Sequence, residues 1–487
     1  MRRIFFQTEK GALLDQALAG LEQGSSYGLC GGRGACGKCR VRFLSGAPLP
    51  SSADRRFFTP GELREGYRLA CTARPAPDCE VELCFAGEPT AKILTVSGNG
   101  TDCLLTDEMN RKGSPAGCEQ QAAGGQFCAV DLGTTTVVMQ LRDRRTGNIL
   151  YTYAFQNPQR AYGIDVLARI SAAQSGRAEQ MQRAVVEELE KGLGHMRQAG
   201  SPDEVIVAGN TTMEHLLLGY PVDTLGKAPF RPFHTGRSEF TLRGCPAVFL
   251  PGISAFVGAD IVSGLYALGM AEREELTLLI DLGTNGEMAV GNRTGILCTA
   301  TAAGSAFEGS VCFGVLGTDM TALAFDLLKE GIMDETGLLE EPWFTEGYRT
   351  GSGGEILIRQ QDIRNLQMAK AAVCAGVSIL LDRVDGWHRL SAVYLAGGFG
   401  YDLDVAKAVD IGLVPERLQN LCTPVGNTSL AGGVRWGRER QRDVMPGQPA
   451  RRDEALSQIV NLCTSLNLAE QPEFEARYID AMAFKRM

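Results

Sequence analysis

The phrase Asp-Leu-Gly-Thr occurs twice in this chain of 487 residues, beginning once at Asp131 and once at Asp281. Short apolar segments enclose each copy, at residues 127–130 and 137–141 for the first and at 276–280 and 288–290 for the second. Apolar runs separated by a Gly-containing turn predict a strand, a tight turn and a returning strand. The chain is therefore expected to contain two similar β-hairpins.

A second pair of matching segments extends this correspondence. Residues 205–210 read Val-Ile-Val-Ala-Gly-Asn and residues 393–398 read Val-Tyr-Leu-Ala-Gly-Gly, and a helical segment is predicted after each of these strands. A third strand is predicted at 149–154, after the first hairpin. Matching features in the same order indicate a duplicated unit, with halves at about 126–273 and 274–487.

The residue types in these hairpins suit a phosphate ligand. Glycine permits close approach of the backbone to phosphate oxygens, and Thr hydroxyls and N–H groups can donate hydrogen bonds to them. Together with Ala-Gly-Gly-Phe-Gly at 396–400, the pattern resembles the superfamily of acetate kinases, sugar kinases, heat-shock 70 proteins and actin (ASKHA), whose halves each have a ribonuclease H-like fold. The alternative is a degenerate fold that kept the shape and lost the nucleotide.

This resemblance implies a site for ATP and Mg2+. It places Asp131 and Asp281 opposite each other across a cleft, where they hold Mg2+ largely through water, since one or two carboxylates suffice for this ion. The residues implied to hold phosphate are Gly133, Thr134, Thr135, Gly283, Thr284 and Asn285. Those implied to meet the adenosine are Gly397, Gly398 and Gly400.

Fifteen cysteines are unevenly spread along the chain, and four near its start have the spacing of a metal cluster. Cys30, Cys36 and Cys39 form a glycine-rich C-x5-C-x2-C loop, and Cys71 follows. Three thiolates from one tight loop and one distant thiolate match the plant-type arrangement of a [2Fe-2S] cluster. The region resembles plant-type or adrenodoxin-type ferredoxins, which have a β-grasp fold. Zinc or unligated thiols are the alternatives, although a zinc site would usually show two paired knuckles.

The remainder of the N-terminal region fits a small domain at 1–88. Alternating apolar and polar residues predict strands at 39–44 and 79–85, and a helix is expected at 11–21. The polar stretch at 89–125 is predicted to be a linker. The expected fold class is α/β multidomain, with an N-terminal β-grasp ferredoxin domain followed by the two ribonuclease H-like halves.

Composition argues against several classes of protein. The formal net charge is −9, which makes nucleic acid or an anionic membrane a poor prospect as partner. The sequence contains no apolar stretch of roughly 18 residues or more, the length that a transmembrane helix needs. Its first residues are basic but lack an apolar core of signal-peptide length. A cytoplasmic location is expected, where disulfides are disfavoured and clustered cysteines serve metal or redox chemistry.

A ferredoxin domain joined to an ASKHA region resembles the reductive activators of corrinoid proteins, the RACo-type activators. The resemblance covers nearly the whole chain and also rests on the segments 157–166, 209–213, 361–370 and 474–478. One departure is Ser305, where the pattern leads us to expect Pro.

The resemblance implies ATP-dependent reductive activation, in which one electron passes from a [2Fe-2S] cluster to Co(II) of a corrinoid protein and regenerates the Co(I) needed for methyl transfer. The implied partners are the corrinoid protein of a methyltransferase system and a low-potential electron donor, and a homodimer is left open. The implied cluster ligands are Cys30, Cys36, Cys39 and Cys71. The implied catalytic residues are Asp131 and Asp281, with Glu308 as a candidate for orienting water or, alternatively, a structural carboxylate.

Three other functions remain open at this stage. The first is activation of another low-potential enzyme, such as a dehydratase, although such activators usually bridge a four-iron cluster between subunits. The second is a small-molecule kinase with an accessory ferredoxin domain. The third is a nucleotide-sensing redox regulator without turnover.

Some conspicuous residues are expected to be structural. His215 is predicted to pack within a helix rather than line the cleft, and Met213 and Met368 are expected in the core. The Arg-rich stretch at 435–452 is predicted to be a solvated loop, with docking of an acidic partner as the alternative.

Overall fold

The structure is a computed structural model. It describes residues 2–7, 14, 39–76, 78–83, 125–301, 317–350, 356–439 and 451–487. The helix predicted at 11–21 lies outside these residues except for Leu14, and so does the predicted linker except for Gly125. Cys30, Cys36 and Glu308 also lie outside them. Within the described part of the chain, no helix is both long and apolar enough to cross a membrane.

Eighteen strands are present in the described residues. They are β1 (Arg2–Gln7), β2 (Arg40–Ser45), β3 (Tyr67–Leu69), β4 (Asp78–Leu83), β5 (Gln126–Leu132), β6 (Thr136–Asp143), β7 (Ile149–Gln156), β8 (Glu204–Gly209), β9 (Ser238–Leu242), β10 (Cys245–Phe249), β11 (Leu276–Leu282), β12 (Gly286–Asn292), β13 (Gly295–Thr301), β14 (Tyr348–Thr350), β15 (Ile356–Ile358), β16 (Leu390–Ala396), β17 (Cys422–Gly426) and β18 (Cys463–Ser465).

The α-helices of the same residues are α1 (Asp54–Phe57), α2 (Pro60–Arg64), α3 (Val166–Ala172), α4 (Ala178–Met196), α5 (Thr211–Leu218), α6 (Ala259–Leu268), α7 (Gly317–Lys329), α8 (Trp343–Glu346), α9 (Gln360–Arg383), α10 (Gly397–Tyr401), α11 (Val405–Asp410), α12 (Thr428–Glu439), α13 (Arg451–Leu462) and α14 (Phe474–Asp480). Short 3-10 helices include Pro158–Tyr162 and Leu468–Glu470.

The N-terminal sheet has four strands in the order β1-β4-β2-β3. Strands β2 and β4 confirm the predictions at 39–44 and 79–85. Val41 and Phe43 alternate with more exposed residues along β2, and they pack with Leu69 and Val81 in a small core. The period of two along β2 therefore places one face of this sheet inward, as strand geometry requires.

Two six-stranded sheets follow, in the orders β7-β6-β5-β8-β10-β9 and β17-β16-β11-β12-β13-β18, and β14 and β15 form a separate two-stranded sheet. In each sheet three antiparallel strands lead to a parallel fourth strand, which is β8 beside β5 and β16 beside β11. Strands β10 and β17 then continue the two series in parallel. The shared order confirms the predicted duplication and is the ribonuclease H-like arrangement.

Strands β5 and β11 are buried along nearly their whole length because helices cover both faces of their sheets. The apolar runs Phe127–Val130 and Leu278–Ile280 are at most 1% exposed. Continuous apolar runs of this kind are typical of central strands that are buried on both faces. Each run ends at an aspartate, Asp131 or Asp281, and a hairpin turn follows at once.

Helices α6 and α12 cross at very close range, since each carries a glycine at the contact. A Cβ atom on Gly432 would lie 2.0 Å from the Ser263 carbonyl oxygen, and one on Gly264 would lie 2.9 Å from Thr428 Oγ1. Ser263 Oγ donates a hydrogen bond to the Ser429 carbonyl oxygen at 2.8 Å. This crossing fixes the N-termini of both helices beside the two hairpins.

Two expectations about individual side chains are wrong. Met368 is 42% exposed on α9, because it lies opposite the face that carries Ile363 and Leu366. The Arg-rich stretch is helical in its described part, where α12 continues to Glu439. Arg452, in α13, is 8% exposed and lies 3.5 Å above the centre of the Trp436 ring.

Candidate functional site

The two Asp-Leu-Gly-Thr hairpins meet at the centre of the molecule. Thr135 Oγ1 of the first lies 3.2 Å from Thr284 Oγ1 of the second. Because both hairpins connect the first two strands of equivalent sheets, the duplicated topology brings the two phrases face to face. The predicted phosphate-binding residues Thr135 and Thr284 are therefore brought together.

Polar side chains hold the first hairpin in place. Asn210 Nδ2 donates to Thr134 Oγ1 at 2.9 Å, and Asn157 Nδ2 donates to the Gly133 carbonyl at 2.8 Å. The Arg169 guanidinium donates to the Thr134 carbonyl. Asn157, Asn210 and Arg169 are all less than 10% exposed, so the hairpin is fixed from behind before any ligand binds.

The second hairpin is closed by its own residues. The Gly283 N–H donates to the Asn285 carbonyl at 3.0 Å, and Asn285 Nδ2 donates to Glu287 Oε1 at 3.0 Å. The Asn285 side chain, predicted to hold phosphate, is thus directed to a carboxylate of the neighbouring strand.

Four carboxylates gather beneath these hairpins: Asp131, Asp260, Asp281 and Glu287. Burial, and then the charges of Asp260 and Asp131, raise the pKa of Asp281 to about 8. Burial and the Asp131 charge raise the pKa of Asp260 to about 7, against the Ile261 N–H, which lowers it. Each group is close enough to disfavour ionisation of another, so Asp131 and Asp281 lie in one site.

The pKa values of Glu287 and Asp131 are raised for related reasons. Burial raises the pKa of Glu287, and the charges of Asp260 and Asp281 add to this effect. Burial also raises the pKa of Asp131, although hydrogen bonds from Asn427 and Ser429 act against it. Like charges gathered in a desolvated site are costly unless a proton or a cation neutralises them.

The described residues contain no group of three or more His, Cys, Asp or Glu side chains placed to chelate a metal ion directly. Mg2+ prefers oxygen ligands and keeps several of its waters, so these carboxylates would hold it largely through water. Within the described ranges, no salt bridge from Lys, Arg or His reaches any of the four carboxylates. A divalent cation would therefore supply the positive charge that this part of the protein does not.

Sequence reasoning missed two of the four carboxylates. Glu287 follows Asn285 by two residues and stands directly opposite Asp281 on β12, so it lies three residues after the second Asp-Leu-Gly-Thr phrase. Asp260 is the only charged residue in the otherwise apolar α6, Ala259–Leu268. The signal in the sequence was a single charged residue in a helix that is otherwise free of charge. The sequence does not show, however, that the N-terminus of this helix lies beside the hairpins, because that depends on the fold.

The glycines predicted to meet adenosine lie beside the second hairpin, at the end of β16. Gly397 has a φ of +82°, and a Cβ atom there would lie 2.5 Å from Asp281 Oδ1. Gly398 faces open space, since a Cβ atom there would meet nothing within 4 Å. A Cβ atom on Gly400 would lie 3.2 Å from the Leu395 carbonyl carbon. At Gly397 and Gly398 the backbone carries no side chain of its own, and a flat ligand could lie against it.

Two of the four predicted cluster cysteines are described, and they are adjacent. Cys39 and Cys71 are 1% and 2% exposed, and the Cys71 N–H points at Cys39 Sγ at 3.5 Å. The Ala70 N–H donates to the Cys39 carbonyl at 2.7 Å. A buried thiol that accepts a backbone N–H is the environment that a cluster thiolate requires. The described half of the ligand set therefore fits an iron–sulfur cluster.

The histidine prediction is confirmed. His215 is fully buried in α5, with Nδ1 2.7 Å from the Thr211 carbonyl and Nε2 3.2 Å from the Phe233 nitrogen. Met213 is also fully buried, as expected. Both ring nitrogens of His215 are thus engaged in packing the first half.

Comparison with known proteins gives matches along almost the whole chain. Residues 3–76 match the 2Fe-2S iron-sulfur cluster binding domain. Residues 127–273 match the RACo middle region, and residues 275–322 and 311–487 match the C-terminal domain of RACo, the ASKHA domain. The chain belongs to the RACo family.

Individual relatives agree with this assignment. The chain is 28% identical over 425 residues to the corrinoid activation enzyme RamQ of Eubacterium limosum, covering 72% of this chain and 69% of RamQ. A solved structure of the reductive activator for corrinoid, iron-sulfur protein matches with a TM-score of 0.66 and 25% identity, over 99% of this chain and 98% of that one.

The N-terminal match is independent of the RACo regions. Over 56 residues, 11% of this chain, it is 45% identical to one component of the Na(+)-translocating NADH-quinone reductase of Shewanella denitrificans, of which it covers 13%. As a RACo family member, the chain combines a [2Fe-2S] domain with an ASKHA domain for ATP and Mg2+.

Proposed function

We propose that this protein is an ATP-dependent reductive activator of a corrinoid protein. The single observation that supports this most is the presence, in one chain, of the adjacent thiols Cys39 and Cys71 and of a carboxylate-lined cleft between two phosphate-type hairpins. The name of the relative RamQ, a corrinoid activation enzyme, suggests the client. The product of the reaction would be Co(I) on a corrinoid partner, ready for methyl transfer.

When bound, a [2Fe-2S] cluster carries one electron at a time, and Mg2+ neutralises charge on the ATP phosphates. The chain's own residues do the rest. Asp131 and Asp281 would orient the waters around Mg2+. Thr135 and Thr284, whose hydroxyl oxygens lie 3.2 Å apart, would donate hydrogen bonds to one phosphate beside them. The backbone at Gly397 and Gly398 supports the adenosine.

Among the described residues, Asp260 is our candidate for orienting the attacking water. It is partly buried at the N-terminus of α6, and desolvation raises its pKa to about 7, where a carboxyl group can hold or release a proton near neutrality. Glu308, predicted for this role from the sequence, lies outside the described residues, and its role stays a prediction. Positioning and electrostatics can carry ATP hydrolysis without a covalent nucleophile.

ATP is needed for an energetic reason. Plant-type clusters have potentials near about −400 mV, and the Co(II)/Co(I) couple of a corrinoid is lower still. Each 100 mV of uphill transfer costs about 2.3 kcal/mol per electron. A nucleotide can change this equilibrium only by binding two states of the complex with different affinity. Nucleotide-dependent binding of the corrinoid partner is therefore part of the proposal.

The remaining partners are proposed by the same logic. A low-potential electron donor must reduce the cluster between turnovers, and a cytoplasmic site of action would keep thiols and cobalt reduced. Homodimer formation remains a proposal.

The test is an anaerobic assay with purified, cluster-containing protein, a Co(II) corrinoid protein and a low-potential reductant, with and without MgATP. We expect the Co(I) absorption band to appear only with MgATP. It should be absent in Cys39→Ala and in Asp281→Ala, while Cys79→Ala, altered at a buried thiol of the same domain, retains it. ATP hydrolysis without Co(I) for any corrinoid partner would refute the client and leave the two sites to be explained otherwise.

A further inference from the structure

Among the contacts of the described residues, Asp131 differs from the other carboxylates of the cleft in having both oxygens held by side chains. Asn427 Nδ2 donates to Asp131 Oδ2 at 2.7 Å, and Ser429 Oγ donates to Asp131 Oδ1 at 2.8 Å. Both donors come from the start of α12, almost 300 residues further along the chain. The end of β5 and the start of α12 are thus joined by two hydrogen bonds to one charge.

The orientation of the Asn427 amide is determined by a second contact. The Leu430 N–H donates to Asn427 Oδ1 at 2.8 Å, as in an N-cap. Since Oδ1 accepts from the helix, Nδ2 must be the atom that faces Asp131, and the amide cannot be reversed without losing both bonds. Asn427 therefore begins α12 and orients Asp131 at the same time.

Helix α12 is in turn fixed to α6, which carries Asp260. Ser263 Oγ donates to the Ser429 carbonyl at 2.8 Å, and Gly432 allows the two helix backbones to touch. A shift of the start of α12 would therefore move α6 as well. Through Ser429, the positions of Asp131 and Asp260 are set by one pair of packed helices.

The two donors leave room for a cation. A carboxylate has about four lone-pair positions, and Asn427 and Ser429 occupy one on each oxygen. The remaining positions can accept hydrogen bonds from the waters of Mg2+, which binds through such waters readily. The donors thus restrict rotation of the Asp131 carboxylate without closing it to the ion.

We propose that Asn427 and Ser429 are positioning residues that hold the Asp131 carboxylate in the orientation that receives Mg2+–ATP. This rests on the proposed function, because it takes the cleft to be a nucleotide site. The alternative is that the two side chains only cap α12 and join it to β5.

The measurement is the affinity for ATP by titration calorimetry, once with Mg2+ and once with EDTA, on the full chain. The informative quantity is the ratio of the two dissociation constants, which reports how much Mg2+ tightens ATP binding. In Ser429→Ala one charge-assisted hydrogen bond is lost, while the backbone contact with Ser263 is kept. We expect the ratio to fall about tenfold, the effect of one hydrogen bond to a charged group.

Exchanging the amide and the carboxylate between positions 427 and 131 distinguishes a positioning role from a purely structural one. Asn427→Asp keeps the cap acceptor but replaces the amide donor with a carboxylate against Asp131, so stability without Mg2+ should fall and the Mg2+ ratio should change several-fold. Adding Asp131→Asn restores an amide–carboxylate pair with the charge moved to position 427. We expect this double variant to recover the wild-type melting temperature but not the Mg2+ ratio.

Two control variants remove similar bonds elsewhere. Ser378→Ala removes a serine hydroxyl that donates to the Cys374 carbonyl at 2.8 Å within α9 and makes no contact with Asp131. Asn467→Asp changes another capping amide, which accepts from the Ala469 N–H at 3.1 Å and donates to Glu470 Oε1 at 3.0 Å. Both should leave the Mg2+ ratio within about twofold of wild type.

The possible results are distinct. A wild-type chain with a Mg2+ ratio well above one, together with an unchanged ratio in folded Ser429→Ala and Asn427→Asp, would overturn the positioning role and leave the proposed function standing. Full recovery of the ratio in the double variant would also overturn it. A wild-type chain that binds no ATP at all would overturn both proposals.

Discussion

At the scale of single residues, the cleft is defined by carboxylates whose environment opposes their ionisation. Burial and mutual repulsion raise the pKa of Asp281 to about 8 and that of Asp260 to about 7. In an unfolded chain these groups would titrate near about 4. Between those values the folded protein binds more protons than the unfolded chain, so its stability falls as pH rises.

We therefore predict that the metal-free protein loses stability between about pH 5 and pH 8. The slope should approach about 1.4 kcal/mol per pH unit for each extra proton bound by the folded state. Thermal unfolding followed by circular dichroism in EDTA measures it. Asp281→Asn should flatten this pH dependence and raise the melting temperature at pH 8, because one repelling carboxylate is gone.

A substitution at the protein surface provides the control for this prediction. Asp453→Asn, at a partly exposed carboxylate paired with Arg237 at 2.9 Å, should leave the slope between pH 5 and pH 8 unchanged. A pH-independent melting temperature in the wild type would contradict the raised pKa values. Saturating MgATP should flatten the slope as the Asp281 variant does, since bound cation stabilises the ionised carboxylates.

Single substitutions also test which cysteines hold the cluster. We predict that Cys39→Ala and Cys71→Ala abolish the visible absorption and the reduced-state EPR signal of a [2Fe-2S] cluster. Cys79→Ala should keep both and lower the free energy of unfolding by about 1 kcal/mol, because Cys79 is a fully buried small side chain of the same core. Retention of the cluster in Cys71→Ala would point to a different fourth ligand.

At the scale of elements, the second hairpin depends on a glycine that approaches it from the next strand. Gly397 has a left-handed backbone conformation and leaves no room for a Cβ atom beside Asp281. An alanine there would meet both a strained φ and a carboxylate oxygen, so the end of β16 would have to move.

We predict that Gly397→Ala weakens ATP binding by about tenfold or more, as measured by titration calorimetry. Gly331→Ala is the matched control, since Gly331 has a φ of +71° but a Cβ atom there would meet nothing within 4 Å. It should cost about 1 kcal/mol of stability from backbone strain alone and leave ATP affinity unchanged. Equal losses of affinity in both variants would show that strain, not contact with Asp281, is responsible.

Elements were predictable from the sequence where a local pattern determined them. Apolar runs that end in Asp-Leu-Gly-Thr gave both hairpins, and alternation gave β2 and β4. Asp260 was not predictable, because its position depends on how α6 crosses α12. Arg452 was misjudged for a related reason, since its stacking on Trp436 joins two elements that local sequence does not connect.

At the scale of the whole molecule, the ferredoxin domain contacts the second half of the ASKHA region through an ion pair. Arg359 Nη2 lies 2.9 Å from Glu62 Oε1, with both side chains about a quarter exposed. Burial opposes ionisation of Glu62, but the Thr59 N–H and Arg359 outweigh it and hold its pKa below the usual value. Arg359 immediately precedes α9, the long helix that packs beneath β12 and β13.

We predict that Arg359→Met leaves ATP hydrolysis and thermal stability nearly unchanged but reduces the ATP-dependent gain in Co(I) formation several-fold. A partly exposed pair contributes at most about 1 kcal/mol to stability, whereas its loss removes a contact that helps to hold the cluster domain against the ATPase region. Parallel ATPase and Co(I) assays measure the two effects.

The control is Arg383→Met, which breaks a similar pair with Glu473 at 2.9 Å within the ASKHA region. It should affect neither assay. Equal loss of ATP hydrolysis and Co(I) formation in Arg359→Met would mean that the residue serves the nucleotide site rather than the contact between domains.

The two halves share one strand order, yet their polar residues are not interchangeable. Glu287 stands opposite Asp281 in the second half, whereas Val138 stands opposite Asp131 in the first. Asp260 begins the helix after β10, whereas the corresponding helix after β17 begins with neutral side chains. A cleft with true two-fold symmetry would accept a nucleotide in either of two directions with equal affinity. Because the two halves carry different charges, the two directions of nucleotide binding are unequal in energy. The duplicated fold therefore distinguishes the phosphate end of its ligand from the base.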